Sequence, residues 1–187
     1  ADDSDVTLNH VGMNPTRTGV IDILRLMGAN IEVLNERSVG GEPVADLRVR
    51  SSQLKGIDIP EALVPLAIDE FPVLFVAAAC AEGQTVLTGA KELRVKECDR
   101  IQVMADGLQT LGVDAKATED GMIIQGKTED SIGGGVVDSH DDHRIAMSFS
   151  IAGLRATAPI TIQDCENVNT SFPEFRQLAT QLGLDLK

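Results

Sequence analysis

The stretch Ile101-Gln102-Val103-Met104-Ala105-Asp106-Gly107-Leu108-Gln109-Thr110-Leu111-Gly112-Val113 decides how the rest of the chain is read. Ile101, Met104, Ala105 and Leu108 recur at the i, i+3, i+4, i+7 spacing of one helix face. Leu111-Gly112 then supplies the left-handed residue that ends such a helix. The pattern occurs twice more. Val20, Ile23, Leu24 and Met27 run up to Gly28, and Phe175, Leu178, Ala179 and Leu182 run up to Gly183. After each glycine an alternating stretch predicts a strand, at Ala29 to Leu34, Val113 to Thr118 and Leu184 to Lys187. Before each helix a further strand is predicted, at Val6 to Val11, Thr85 to Thr88 and Ile160 to Gln163.

Two segments of another kind, Asp69 to Glu82 and Asp141 to Ala156, are apolar over most of their length. Each opens with a carboxylate suited to an N-cap, and both predict buried helices. The first repeat has no such helix, so it reads as truncated. The expectation is an α/β (α+β) chain forming one domain with threefold internal pseudo-symmetry, its amphipathic helices outside and its apolar helices inside. Gly40-Gly41-Glu42-Pro43 and Ser131-Ile132-Gly133-Gly134-Gly135 read as exposed turns.

Composition narrows the function. A chain of 187 residues with no Trp or Tyr and five Phe must build its core from Val, Ile, Leu, Met and Ala. Its formal charge of −13 argues against nucleic acid, which calls for a basic face. The apolar run from Phe71 to Ala81 is too short for a membrane span. Three widely spaced cysteines, Cys80, Cys98 and Cys165, read as reduced thiols of a cytoplasmic protein. No signal peptide is expected at the start.

Four clusters could carry chemistry. Leu93-Arg94-Val95-Lys96-Glu97-Cys98-Asp99-Arg100 gathers three cations and two carboxylates ahead of a helix, a setting for small anions and proton transfer. A solvated charged turn is the plain alternative. Asp138-Ser139-His140-Asp141-Asp142-His143-Arg144 invites a metal, but successive residues at a helix start point in different directions, and no distant cluster completes a site. Its other reading is an Asp N-cap with His143 and Arg144 in the first turn, where Arg144 opposes the helix dipole and calls for a compensating anion. Asp69-Glu70-Phe71-Pro72 offers a carboxylate at the mouth of a buried helix, for acid/base work or for capping. In Asn167 to Glu174, a capping box between Ser171 and Glu174 is a sufficient explanation.

Taken together these stretches resemble the C-terminal half of the 5-enolpyruvylshikimate-3-phosphate synthase family. The matching segments are Met13-Asn14-Pro15-Thr16-Arg17-Thr18-Gly19, Ile68 to Pro72, Leu93 to Arg100, Asp142 to Ser148 and Thr170-Ser171-Phe172-Pro173-Glu174-Phe175, in family order. Asn-Pro-Thr-Arg-Thr-Gly and Thr-Ser-Phe-Pro-Glu-Phe are similar to the glyphosate-tolerant bacterial class.

The resemblance implies half of a two-domain fold of threefold βαβαββ assemblies, with residues 1–187 as the C-terminal domain. It implies transfer of enolpyruvyl from phosphoenolpyruvate to shikimate 3-phosphate with release of phosphate, without metal or organic cofactor. Asp69 would be the base at the acceptor hydroxyl, and Glu97 would move a proton at the methylene carbon. Lys96 would contact shikimate 3-phosphate and the reacting centre. Arg100 and Arg144 would bind phosphoenolpyruvate, with His143 in support. Many relatives carry Lys at the position of Thr170 and Asn at that of Glu92, so no contact is assigned to either.

The family's N-terminal domain supplies a Lys-Ser pair, a Gly-rich loop and an Arg, so this chain is expected to be inactive without that complementary domain as partner. The alternatives are a UDP-N-acetylglucosamine enolpyruvyl transferase and a non-catalytic repeat module that binds a protein.

Overall fold

A computed structural model describes residues 1–129 and 132–186. The chain builds three units in succession. The first opens with β1 (Asp5–Gly12) and α1 (Gly19–Leu26), followed by a hairpin of β2 (Asn30–Val39) and β3 (Glu42–Arg50). β3 lies between β1 and β2, antiparallel to both. Gly40 and Gly41 close the hairpin at φ 61° and 91°, angles that glycine adopts without a Cβ clash.

The second unit carries the full βαβαββ order. Residues 55–58 run parallel to a later strand through bridges from Lys55 to Glu82 and from Asp58 to Val86. Then come α2 (Phe71–Ala79), β4 (Gly83–Leu87), α3 (Arg100–Thr110), β5 (Asp114–Ala117) and β6 (Met122–Gly126). β6 is central, antiparallel to β4 and β5. The third unit has β7 (Gly135–Asp138), α4 (His143–Ala152), β8 (Ile160–Gln163) parallel to β7, a short α5 (Val168–Ser171) and α6 (Phe175–Gln181).

The two apolar helices sit inside, as expected. α2 buries Phe71, Pro72, Leu74, Phe75, Val76, Ala78 and Ala79, and it packs along α4, which buries Ile145, Ala146, Phe149 and Ala152. The stripe of α3 closes the core from the other side, with Ile101, Met104, Ala105 and Leu108 all fully buried. Gly107 is what lets α3 approach: a Cβ there would stand 2.3 Å from Cζ of Phe149.

Several local expectations are corrected. Leu184 to Leu186 form no strand. The Leu184 amide instead donates to the Ala179 carbonyl at 3.0 Å, closing α6, and no partner strand stands beside it among the described residues. Lys187 lies outside the described residues. The third apolar stripe is only partly covered: Ala179 is buried, while Leu178 and Leu182 are exposed, because the third unit sets no antiparallel strand pair beside α6 comparable to β5 and β6. Ser171 ends α5 and does not cap α6, whose N-cap position is Glu174 with no side-chain bond. Ser131 is outside the described residues, but Ile132 is fully buried and bridges Ala156, so that stretch is not an exposed turn.

Candidate active site

The starts of α2, α3 and α4 meet at one place. Asp69 stands one residue before the N-cap position of α2, held in a turn by the Glu70 amide, which donates to the Ala67 carbonyl at 3.0 Å. Arg100 is the first residue of α3, where Asp99 caps by accepting from the Gln102 amide at 3.0 Å. Arg144 is the second residue of α4, where Asp142 caps by accepting from the Arg144 and Ile145 amides at 2.9 and 3.3 Å. Helix starts carry positive dipole character, and those of α3 and α4 carry a cation as well, while that of α2 brings the carboxylates Asp69 and Glu70.

Those cations are met by carboxylates. Lys96 Nζ lies 2.5 Å from Glu92 and 3.5 Å from Asp69. The Arg100 guanidinium, only 1 % exposed, donates through Nε to Asp142 Oδ2 at 2.7 Å, through Nη2 to Glu97 at 2.6 Å, and through Nη1 to Asp69 at 3.4 Å. Arg144 Nη1 donates to the Asp69 carbonyl at 3.1 Å, and its guanidinium lies 3.8 Å from the Asp69 carboxylate and 3.7 Å from Glu70. These two carboxylates are the compensating anions that a cation in the first turn of α4 required.

The electrostatics separate neighbouring carboxyls. Burial alone would raise Asp69, but the charges of Arg144, Lys96 and Arg100 outweigh it and hold its pKa below the usual range. Glu70 moves the other way: burial, joined by the charge of Asp69, raises it against the pull of Arg144 and Arg17. The Cys98 thiol, half-buried and 3.8 Å from Asp142 Oδ2, is pushed up to about 12 by burial and then by that carboxylate.

Two small clefts flank Asp69 and Glu70. One, of about 210 Å³, runs between α2 and α4 past Pro72, Val73, Met147 and Ile151. The other, of about 190 Å³, is lined by Thr16, Arg17, Pro65, Leu66 and Ile68. Gly19 permits this second wall, since a Cβ there would lie 2.7 Å from the Leu66 carbonyl carbon.

The structure therefore gathers Asp69, Lys96, Glu97, Arg100 and Arg144 on one face. His143 opens α4 beside them and takes no part in the ion-pair set. Thr170 is exposed on α5, and Glu92 occupies the Lys96 ammonium. Asp142 and Glu70 belong to the cluster although neither was a candidate site residue. The sequence offered an Asp cap ahead of His143, with Asp141 opening the segment; the cap is Asp142, and nothing in the spacing showed that its second oxygen holds Arg100. Arg94, read with the cationic stretch, is instead a strut, pairing with Asp99 and donating to the carbonyls of Thr118 and Glu119. Among the described residues no group of three or more His, Cys, Asp or Glu is arranged to hold a metal ion. No helix among them is long and apolar enough to cross a membrane.

Comparison with known proteins bears on the chain and its fold as a whole. The chain is 71% identical over 186 residues to a 3-phosphoshikimate 1-carboxyvinyltransferase of Alkalilimnicola ehrlichii, covering 100% of the chain and 41% of the relative. It is 70% identical over 184 residues to the protein of that name from Methylococcus capsulatus, covering 98% and 41%. The solved EPSP synthase of Acinetobacter baumannii superposes with a TM-score of 0.97 at 61% identity, covering all of this chain and 43% of that one. The chain thus spans about two fifths of the length of these relatives. Residues 1–178 match the protein-family model described as EPSP synthase (3-phosphoshikimate 1-carboxyvinyltransferase), and the chain belongs to that family.

Proposed function

We propose that residues 1–187 form the C-terminal domain of an enolpyruvyl transferase and supply one wall of its active site. The reaction joins the enolpyruvyl group of phosphoenolpyruvate to the 5-hydroxyl of shikimate 3-phosphate and releases phosphate. Asp69, its pKa held low and its carboxylate ionised, takes the proton from the acceptor hydroxyl. Glu97, half exposed beside Arg100, takes a proton from solvent when a substrate anion displaces it from the guanidinium, delivers that proton to the methylene carbon as the hydroxyl oxygen adds, and recovers it as phosphate leaves. Lys96, Arg100 and Arg144 hold the phosphate and carboxylate groups of the substrates, with the planar guanidinium forks suited to both.

The observation that carries this reading is the approach of three cations, Lys96, Arg100 and Arg144, to within 3.5, 3.4 and 3.8 Å of the Asp69 carboxylate. That puts a base beside anion-binding groups in a chain of this family. The same set explains why a second wall is needed. The three cations face five carboxylates, Asp69, Glu70, Glu92, Glu97 and Asp142. A phosphate entering such a set meets more negative than positive charge even with Arg17 acting on Glu70, which supports a site completed by cations of the complementary N-terminal domain.

The test is phosphate release from phosphoenolpyruvate by the chain combined with the N-terminal domain of the same enzyme. Release with shikimate 3-phosphate as acceptor is the expected result. Release with UDP-N-acetylglucosamine and none with shikimate 3-phosphate would assign the other acceptor.

A further inference from the structure

The loop entering α4 is held in a conformation that side chains usually avoid. His140 and Asp141 are consecutive and left-handed, at φ 50° and 59°, a region that residues with a Cβ enter at a cost. The loop is tied from several directions. The His140 amide donates to Asp138 Oδ1 at 2.8 Å, and the Asp142 amide donates to the Ser139 carbonyl at 3.0 Å. The Ser139 hydroxyl donates to the Asp164 carbonyl, and the Asn167 side-chain amide donates to the Asp141 carbonyl.

What this effort presents is the next side chain, Asp142. Its two oxygens are used unequally. Oδ1 accepts the Arg144 and Ile145 amides at 2.9 and 3.3 Å and so caps the helix that carries Arg144, and it also accepts a long bond from Arg100 Nη2 at 3.5 Å. Oδ2 accepts from Arg100 Nε at 2.7 Å, and the Cys98 thiol lies 3.8 Å from the same oxygen. The three carboxylates around Arg100 differ in the same way. Asp69 and Glu97 are 29 % and 48 % exposed, on the open side of the guanidinium, whereas Asp142 is 0 % exposed, behind it. An anion arriving from the exposed side can replace the first two, whereas the third is closed to solvent.

We propose that Asp142 is a positioning residue that couples the two arginines of the anion site. It grips Arg100 from behind, chiefly through Nε at 2.7 Å and weakly through Nη2 at 3.5 Å, leaving the open side of the Nη groups to exchange Asp69 and Glu97 for a phosphate or carboxylate. By capping α4 with its other oxygen, it holds Arg144 in register with Arg100. The kinetic part of the test rests on the enolpyruvyl transfer reading, and the spectroscopic part does not.

The test uses Asp142→Asn and Asp142→Ser. Both residues are good helix caps, and neither offers Arg100 a charged acceptor. Arginine side-chain ¹⁵N NMR of the 187-residue chain reads the Arg100 Nε–H directly, while the Arg144 and Ile145 amides report the cap. The expected result is preserved cap amides with a shifted Arg100 Nε–H, whose protection from exchange falls about tenfold or more, as loss of a charge-assisted hydrogen bond implies. An unmoved Nε–H in both variants would overturn the coupling. Unfolding of both would also overturn it, since Asp142 would then serve the fold alone.

In the enzyme reassembled with its N-terminal domain, Asp142→Ser should raise KM for phosphoenolpyruvate about tenfold or more and leave KM for shikimate 3-phosphate nearly unchanged. An unchanged KM for phosphoenolpyruvate would count against the proposal. If the parent assembly shows no turnover, the enzymatic reading fails and the NMR result still decides the coupling.

Discussion

Arg144 holds Asp69 twice, through a hydrogen bond to its backbone carbonyl at 3.1 Å and an ion pair with its carboxylate at 3.8 Å. The contact joins the starts of two buried helices 75 positions apart in the chain. About a third of the Arg144 side chain is open to water, so screening keeps the pair modest. Arg144→Ala should lower stability by about 1 kcal/mol or less in urea denaturation. A loss above about 3 kcal/mol would mark a pair that behaves as buried. Arg144→Lys should not restore the contact, since an ammonium lacks the planar fork that reaches both acceptors.

Asp69 and Glu70 should titrate in opposite directions from their usual values. The Asp69 pKa lies below its ordinary 3.8, because Arg144, Lys96 and Arg100 outweigh the effect of burial. Ionised Asp69 therefore favours the fold, and that contribution is complete above 3.8 and lost as pH falls through the lower folded value. The Glu70 pKa lies above its ordinary 4.5, raised by burial and by Asp69. Protonated Glu70 favours the fold, and its contribution is complete below 4.5 and lost as pH rises through the higher folded value. A ¹³C titration of the side-chain carboxyls should show Glu70 taking its proton first on acidification. Asp69 protonating first would contradict this ordering.

Cys98 should resist alkylation despite lying at the site. Its thiol is pushed up to about 12, first by burial and next by the Asp142 charge, so the reactive thiolate is scarce near pH 8. Cys165 is exposed. Brief iodoacetamide treatment followed by peptide mass spectrometry should find Cys165 labelled and Cys98 unlabelled until the chain is denatured. Equal labelling rates in the folded chain would mean that Cys98 is not held against Asp142.

Gly107 should not tolerate even alanine. Alanine in mid-helix ordinarily gains about 1 kcal/mol over glycine. Here its methyl would lie 2.3 Å from Phe149 Cζ and 2.8 Å from Cε2, and overpacking of this kind costs about 1–3 kcal/mol. Gly107→Ala should therefore lower Tm by a few degrees, and adding Phe149→Leu should recover part of the loss. A raised Tm for the single variant would show that α3 and α4 are free to move apart.

The helix ends were legible because they are local. Gly28, Gly112 and Gly183 all adopt positive φ, at 96°, 83° and 99°, each following a Met or Leu at the end of a helix with an apolar stripe. The stripes of α1 and α3 predicted burial correctly at Ile23, Met27, Ile101 and Leu108. The stripe of α6 did not, because burial also depends on what lies across from the helix. β3 was not read as a strand: Val44, Ala45 and Leu47 are buried without strict alternation, and its partners β1 and β2 both shift register beside it.

The site was legible in part. Lys96, Glu97 and Arg100 are near neighbours in sequence, but their meeting with Asp69 and Arg144 follows from tertiary packing that no spacing encodes, and only the family resemblance pointed to it. The second role of Asp142 left no mark in the sequence at all. A helix cap and a buried counter-ion call for the same residue type.

The most direct test is enolpyruvyl transfer assayed with the 187-residue chain alone, with the N-terminal domain alone, and with the two mixed. Phosphate release from phosphoenolpyruvate and shikimate 3-phosphate is expected only from the mixture, and it should vanish when the chain carries Asp69→Ala. Turnover by the chain alone, or a mixture unaffected by Asp69→Ala, would contradict the assignment of this face as one wall of a shared active site.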